Sequence, residues 1–489
     1  MKNKNSFFKK RFFLFLISFI CLSALILTLG SSELIAQKRK QAKPIIFLDK
    51  NNKTKFGENI ISNGQANLLS RIKVINQLAS KLPKQKFSSR KIIVKFKPEI
   101  SLQSTENILK VYQPKSYRLI PRINAYVMQV AEGTTVEETL AALRSNPDVL
   151  YAEPDYKLHL ATTPNDQLFR YQYALANPGG ILQIPGSPTG KLKADIKATG
   201  AWDYAKGDPN VLIAILDSGV DYTHPDLINK VISHGKDFVN NDDDAFDDHW
   251  HGTHVAGIIA AATNNSEGIA GVAWNCRILP GKVISADGEG DYSWLIEALI
   301  WAADYTSGQA KVQVINMSLG GEEPSQALED ALKYAYNKGI VLVAAAGNHS
   351  APEEPTFVLY PAAYDQYCLA VGASDYNDQI ADFSNYGAQL DVTAPGVWIL
   401  STIPIAQTEP GYLPYAFASG TSMSAPHVAG FAALLKSTKP WLTPADIMKI
   451  IKYTPDDINS ADYPGRDDYA GYGRINTERA TAPHRITKK

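Results

Sequence analysis

Cysteine is scarce in this chain: 489 residues hold three. Cys21 falls inside an N-terminal apolar run, so only Cys276 and Cys368 remain beyond it. A disulfide framework therefore does not carry the fold. Low-complexity tracts and internal repeats are absent as well, which excludes solenoid, collagen-like and largely disordered architectures. No His-Glu-x-x-His stretch accompanies the histidines, so the helix-borne zinc-hydrolase pattern is missing. Net charge is missing too, because 49 Lys and Arg balance 49 Asp and Glu. What remains is an ordinary globular composition in a chain too long for one compact unit, and two or more folded units are expected.

The zero net charge conceals an asymmetry. Residues 1–160 hold 27 Lys and Arg against 11 Asp and Glu, whereas 161–489 hold 22 against 38. Oppositely charged halves attract, which fits a basic leading segment on an acidic main domain. The basic excess is spread out, and no nucleic-acid partner is expected. MKNKNSFFKKRF is a basic start, and the apolar run of 18 residues that follows at Phe12–Leu29 leads to a small-residue site at Leu34-Ile35-Ala36. This pattern reads as a secretory signal peptide over 1–36. The alternative is a membrane anchor, because such a run is just long enough to span. Membrane contact is expected only through that segment if it stays uncleaved.

Residues 37–88 form a polar, Lys-rich extension with one weakly helical stretch near Gln65–Leu82 and no assignable motif. From Lys91 the pattern sharpens. KIIVKFK alternates as a strand, Ser101–Val111 is helical, Ser116–Ile120 and Ala125–Val130 are strands, Val136–Ser145 is helical and Val149–Tyr151 is a strand. This β-α-β-β-α-β succession predicts a small α+β, ferredoxin-like domain over 89–160. Within 161–489, the apolar runs Val211–Leu216, Ile278–Val283, Val312–Met317, Ile340–Ala345 and Leu369–Gly372 alternate with helical runs such as Ser293–Tyr305 and Gln326–Asn337. Continuous Val/Ile/Leu strands between helices predict an α/β fold with a mostly parallel sheet covered on both faces. In such sheets reactive groups gather beyond the carboxyl ends of the strands, where Asp217 and Asn348 fall.

Three distant segments present reactive side chains: VLIAILDSGVDYTHPDL around Asp217, HGTHVAG around His251, and SGTSMSAPHVAG around Ser422. A hydroxyl is a weak nucleophile at neutral pH until an imidazole takes its proton and a carboxylate holds that imidazole. Asp217, His251 and Ser422 supply those three parts. Ser422 also precedes an apolar helix through Val428–Leu435, whose N-terminus favours developing negative charge.

These segments, in the order Asp-His-Ser and with VAAAGN ending at Asn348, resemble the subtilisin family of serine peptidases, most of all its thermitase-like members, over about Asn165–Asn476. The order itself differs from that of chymotrypsin-like and α/β-hydrolase enzymes. The resemblance implies a subtilisin-like fold and a secreted serine endopeptidase. It makes Asp217 the orienting acid, His251 the base and then acid, Ser422 the nucleophile, and Asn348 a donor to the tetrahedral oxyanion beside the Ser422 N–H. His254 and Ser424 are left with structural roles.

It further implies that Asp287–Trp294, with Gly288, Gly290, Tyr292 and Leu295, forms one edge of a peptide cleft. Ser318-Leu319-Gly320 forms the other, and Ala345, Ala346 and Gly347 line the first specificity pocket near Leu359. With no acid evident there, apolar or aromatic P1 residues are expected. Structural calcium is implied at Asp226 with the loop containing Asn265, and a second acidic site at Asp237, Asp242, Asp244 and Asp247; the alternative for that run is a solvated loop. His249-Trp250 depart from the Asn-Gly that relatives commonly carry. The ending DVLYAEPDYKLHL resembles an inhibitory propeptide tail, which makes the 89–160 domain an intramolecular inhibitor and chaperone cut away between about Tyr156 and Thr163. If the family's strand order holds, Cys276 and Cys368 stand several strands apart, as buried thiols beyond disulfide reach. The expected partners are polypeptide substrates and the chain's own prodomain, with the enzyme a monomer. Rival readings are a catalytically silent scaffold of this fold and a single-substrate processing peptidase.

Overall fold

The computed structural model describes residues 46–49, 87–156, 162–349, 357–408 and 411–482. The expected signal peptide, most of the 37–88 extension with its helical stretch, and residues 157–161 of the expected cleavage junction lie outside the described residues. The chain forms two units, Glu58–Ala161 and a larger one joining Met1–Gly57 with Thr162–Lys489. A first strand, β1 (Ile46–Asp49), belongs to the larger unit.

The smaller unit runs β2 (Phe87–Phe96), α1 (Leu102–Val111), β3 (Ser116–Ile120), β4 (Ala125–Gln129), α2 (Val136–Ser145) and β5 (Val149–Tyr156). Its antiparallel sheet has the order β3-β4-β2-β5, the ferredoxin-like arrangement expected from the succession of elements. Thr135 starts α2 with a capping box, its hydroxyl accepting from the Glu138 N–H while Glu138 accepts from the Thr135 N–H. Ile92, Val94, Leu109, Met128 and Leu143 close the core with no exposed surface.

In the larger unit, β6 (Val211–Asp217) is buried at every residue. Its side chains divide by the two-residue period of a strand. Val211, Ile213 and Ile215 enter one apolar cluster; Leu212, Ala214 and Leu216 enter another on the opposite face. The rest of the sheet is β7 (Lys236–Asp237), β8 (Arg277–Lys282), β9 (Ala310–Met317), β10 (Val341–Ala345), β11 (Cys368–Ser374) and β12 (Val392–Pro395). These strands lie in the order β12-β11-β10-β9-β6-β8-β7, each neighbouring pair parallel. Helix α3 (His251–Ala260) is on the first face, and α4 (Tyr292–Asp304) and α5 (Gln326–Asn337) are on the second. Strands β13 (Ile399–Thr402) and β14 (Tyr412–Ala418) form an antiparallel pair. Strand β1 adds to the free side of β14 in antiparallel register, Ile46 opposite Phe417, although its sequence gave no sign of this pairing. Helix α6 (Thr421–Thr438) runs through the first cluster, and α7 (Pro444–Tyr453) follows.

Cys276 precedes β8 by one residue and Cys368 opens β11, with β6, β9 and β10 between. Both are buried free thiols.

In the acidic run 237–248, expected as a second metal site, the carboxylates make local hydrogen bonds, and among the described residues no group of three or more His, Cys, Asp or Glu side chains is placed to hold a metal. Asp237 is buried and folds its own turn, accepting from the Val239 and Asn240 N–H groups and the Asn240 amide. Asp242 accepts the Asp244 N–H, and Asp244 accepts the Tyr222 hydroxyl. Asp247 caps α3. Its Oδ1 accepts from Ser218 Oγ and the N–H groups of His249 and Trp250; its Oδ2 accepts from the Thr253 N–H and Oγ1. Five donors on one carboxylate leave no lone pair for an ion. Trp250, the residue at the cap position, offers no side-chain bond to the helix, so Asp247 satisfies orphan N–H groups from three residues upstream of it. The Asp247→Ala variant is expected to lose about 3 kcal/mol of stability in denaturant unfolding, a capping loss added to stranded donors; a change below about 0.5 kcal/mol contradicts this role.

Candidate active site

Asp217 is the last residue of β6 and has no exposed side-chain surface, while His251, first in α3, keeps 18%. His251 Nδ1–H donates to Asp217 Oδ1 at 2.7 Å, and the same oxygen accepts the Ser218 N–H at 2.8 Å. Asp217 Oδ2 is buried without a partner. Burial of the imidazole disfavours its charge, but the Asp217 carboxylate and its hydrogen bond outweigh that and hold the His251 pKa above the usual value. The Nδ1–H tautomer directs the basic Nε2 away from Asp217. His254 is a different kind of group: burial pushes its pKa down to about 3, and its neutral ring donates Nε2–H to the Ala416 carbonyl at 3.1 Å.

Of two neighbours of this pair, Lys282 was not foreseen, whereas Trp250 stood out in the sequence as a departure from what relatives commonly carry. Lys282, at the end of β8, is almost fully buried, and its Nζ donates to the carbonyls of Ser218 and Ile284 and to Asp248 Oδ1. The Lys at the end of the apolar run RILPGK was the available signal. Trp250 takes φ 109° and ψ −29° immediately before His251. For a bulky side chain that backbone costs of order 1–3 kcal/mol and persists only where the surroundings over-determine it.

Ser422 is the second residue of α6, so its N–H is among the donors that a helix N-terminus leaves without an intrahelical acceptor. Its hydroxyl donates to the Ser318 carbonyl at 3.1 Å, and the Ser318 hydroxyl donates to the Ser422 carbonyl at 2.9 Å. Asn348 Oδ1 accepts both the N–H and the hydroxyl of Thr421, which fixes the amide and leaves Nδ2 as the outward donor. That Nδ2 lies 3.4 Å from where a Cβ at Gly420 would sit. Ser424 is buried and donates to the Ala394 carbonyl.

The cleft residues fall partly where expected. Ser318, Leu319 and Gly320 follow β9, and Leu359 reaches both edges of one recess: a Cβ at Gly320 would meet Leu359 at 2.9 Å, and one at Gly347 would meet it at 2.8 Å. Ala345, Ala346 and Gly347 are buried at the end of β10. Gly288 takes φ +81° next to His249, in a turn that is not a strand, and a Cβ at Gly290 would strike the Val283 carbonyl at 2.3 Å. Tyr292 opens α4 and donates to the Glu323 carbonyl at 2.8 Å. Leu295 is a core residue instead of a cleft residue. It is 2% exposed and forms a stripe with Ala298, Leu299 and Ala302, the i, i+3, i+4, i+7 face that packs on the sheet.

Elsewhere in this unit two buried carboxylates meet. Asp226 Oδ2 accepts from the Ile269 N–H and the Tyr415 hydroxyl, and its Oδ1 from the Asn265 amide. Asp166, absent from the residues foreseen, accepts the Asn264 N–H. Burial pushes both pKa values up to about 6, and Asp166 raises that of Asp226 further. A Cβ at Gly268 would stand 1.9 Å from Asp226 Oδ2, so the 264–269 loop closes on the acid only with glycine there. The Asn265 amide turns its Nδ2 to Asp226 and its oxygen to the Glu267 N–H, and two desolvated carboxylates beside it suit a hard divalent cation.

The sequence was compared with known proteins. Residues 208–473 match the family model described as Subtilase family, and 74–155 match the one described as Fervidolysin N-terminal prodomain. The thermophilic serine proteinase of Bacillus sp. (strain AK1) is 42% identical over 413 residues, covering 83% of this chain and 91% of that protein. Thermitase of Thermoactinomyces vulgaris is 43% identical over 287 residues, covering 58% and 93%. Among solved structures, a protease from Pseudoalteromonas arctica PAMC 21717 aligns with TM-score 0.54 and 32% identity, covering 66% of this chain and 99% of its own. With the imidazole–carboxylate pair and a serine at a helix N-terminus already in place, these matches decide the matter: the chain belongs to the subtilase family, as a subtilisin-like serine endopeptidase with an N-terminal prodomain.

Proposed function

We propose that Asp217, His251 and Ser422 are the catalytic residues, on the strength above all of the 2.7 Å contact that turns His251 Nε2 outward as a base. Ser422 Oγ leaves its Ser318 acceptor by a χ1 rotation and attacks the scissile carbonyl carbon as its proton passes to His251 Nε2. Asp217 stabilises the imidazolium through Nδ1–H. The oxyanion is received by the Ser422 N–H and Asn348 Nδ2. Collapse breaks the C–N bond, His251 protonates the leaving amine, and water repeats the cycle to release the acid. Leu359, which approaches both Gly320 and Gly347 with the neutral Asn385 amide and the Tyr360 carbonyl beside it, favours large apolar or aromatic P1 residues. Backbone pairing along Ser318–Gly320 makes modest demands on the rest of the sequence.

The smaller unit serves as chaperone and inhibitor until the chain is cut between about Tyr156 and Thr163, and the N-terminal apolar run exports the precursor. In a peptide-library digest the wild type is expected to cleave after Phe, Tyr, Leu and Met, and Ser422→Ala to cleave nothing and to resist a fluorophosphonate label. Dominant cleavage after Lys or Arg overturns the specificity, and undiminished activity in Ser422→Ala overturns the mechanism.

Asp166, Asp226 and Asn265, with backbone oxygens of the 264–269 loop, would hold one calcium ion, which supplies the positive charge that two buried carboxylates need to ionise. Without calcium the sign of the pH dependence follows from the pKa shifts. Folded-state values near 6 against an ordinary 3.8 mean that the folded form binds protons more readily than the unfolded one. Stability in EGTA should therefore fall as pH rises from about 4 to 6 and level off above, and calcium should restore it. The Tm of Ser422→Ala, which cannot autolyse, measures this; equal Tm values at pH 7.5 in EGTA and in excess calcium contradict the site.

A further inference from the structure

Among the described residues other than glycine, the largest positive φ belongs to Trp250, next to His251. Trp250 adopts a backbone with φ 109°, the territory of glycine, and its indole lies against His251 with centroids 5.5 Å apart and planes at 72°. His249 stacks on the indole at 5.5 Å and 23° and also meets the His251 ring at 6.4 Å, while His254 meets the indole edge-on at 6.1 Å. His254 is itself pinned to the Ala416 carbonyl. The backbone of Trp250 is held by Asp247 through its N–H and by the His254 N–H on its carbonyl. The indole also packs on the apolar cluster that includes Leu400, Phe417 and Met423, the residue after Ser422. His249 Nδ1 is buried without a partner in this arrangement. A left-handed tryptophan and a stranded imidazole nitrogen are both unfavourable, and both belong to one aromatic cluster in which Trp250 and His249 each touch the His251 ring.

We propose that Trp250 is a positioning residue for His251. The Asp217 bond fixes one ring nitrogen, but a single hydrogen bond leaves the imidazole able to tilt about it. The indole blocks that tilt from the side, and its seat on the Met423 cluster ties the ring to the helix that presents Ser422. The ring is thereby held in one orientation before substrate arrives, ready for the Ser422 proton once that hydroxyl turns from the Ser318 carbonyl, a preorganisation that acts on proton transfer and not on peptide binding.

The test uses full-length enzyme, processed normally, and a small fluorophosphonate that reacts with the activated serine without occupying an extended cleft. Trp250→Gly removes the indole and suits the backbone; Trp250→Phe keeps an aromatic wall. For Trp250→Gly, a phosphonylation rate and a kcat at least tenfold lower are expected, with KM within twofold and Tm unchanged or raised. Trp250→Phe should recover most of the rate. The inference fails if Trp250→Gly labels within twofold of wild type, or if its loss lies in KM alone. If Trp250→Gly does not fold, Trp250→Asn, which tolerates a positive φ, takes its place: a phosphonylation rate within twofold of wild type overturns the inference, and a rate at least tenfold lower upholds it. The inference rests on the proposed roles of His251 and Ser422, and failure of wild type to label at Ser422 defeats those roles separately.

Discussion

A carboxylate without solvent, placed at the end of a strand without solvent, is the constraint around which this enzyme is arranged. Asp217 ends β6, whose residues are all buried, and its neighbours on both sides are parallel strands. Such a group is tolerated only where donors meet it. Here they are the Ser218 N–H and the imidazole of His251. Because the acid lies in a poorly solvated site, its pull on the imidazole is strong enough to overcome the ring's own burial. The parallel sheet explains why the other parts are within reach. The ends of β6, β9 and β10 open on the same side, so Asp217, Ser318 and Asn348 come from different strands to one rim, and α6 brings Ser422 to it.

Other buried carboxylates in the larger unit are handled in distinct ways. Asp247 is surrounded by five donors and organises the start of α3. Asp166 and Asp226 are pushed towards neutrality by burial. Burial raises the Asp247 pKa as well, its five donors offsetting only part of that rise; what sets it apart is that both of its oxygens are engaged at the start of α3. The aromatic cluster of His249, Trp250 and His251, each ring touching the other two, is a third device at the same helix terminus.

Much of this was legible in the sequence because periodicity and strand-end motifs report backbone layout directly. The helices at Val136–Ser145 and Gln326–Asn337 fall on the expected residues, as does the strand at Ser116–Ile120. The apolar runs became neighbouring parallel strands. Side-chain direction was less legible. Asp237, Asp242, Asp244 and Asp247 are dense in sequence, but local turns and the α3 terminus take their oxygens, and no spacing rule distinguishes that from a cage. Leu295 was assigned to the cleft by the family resemblance, and its helical spacing with Ala298 and Leu299 turns it towards the sheet. Asp166 carried no motif of its own; it reaches the 264–269 loop across about a hundred residues of sequence. The pairing of β1 with β14 is equally non-local.

The claim at the centre is electrostatic and can be measured on one ring. In Ser422→Ala, the His251 imidazole should titrate by NMR above the ordinary value of 6.5, and Asp217→Asn in that background should bring its pKa down. A His251 pKa at or below 6.5 that does not respond to loss of the Asp217 charge would contradict the account.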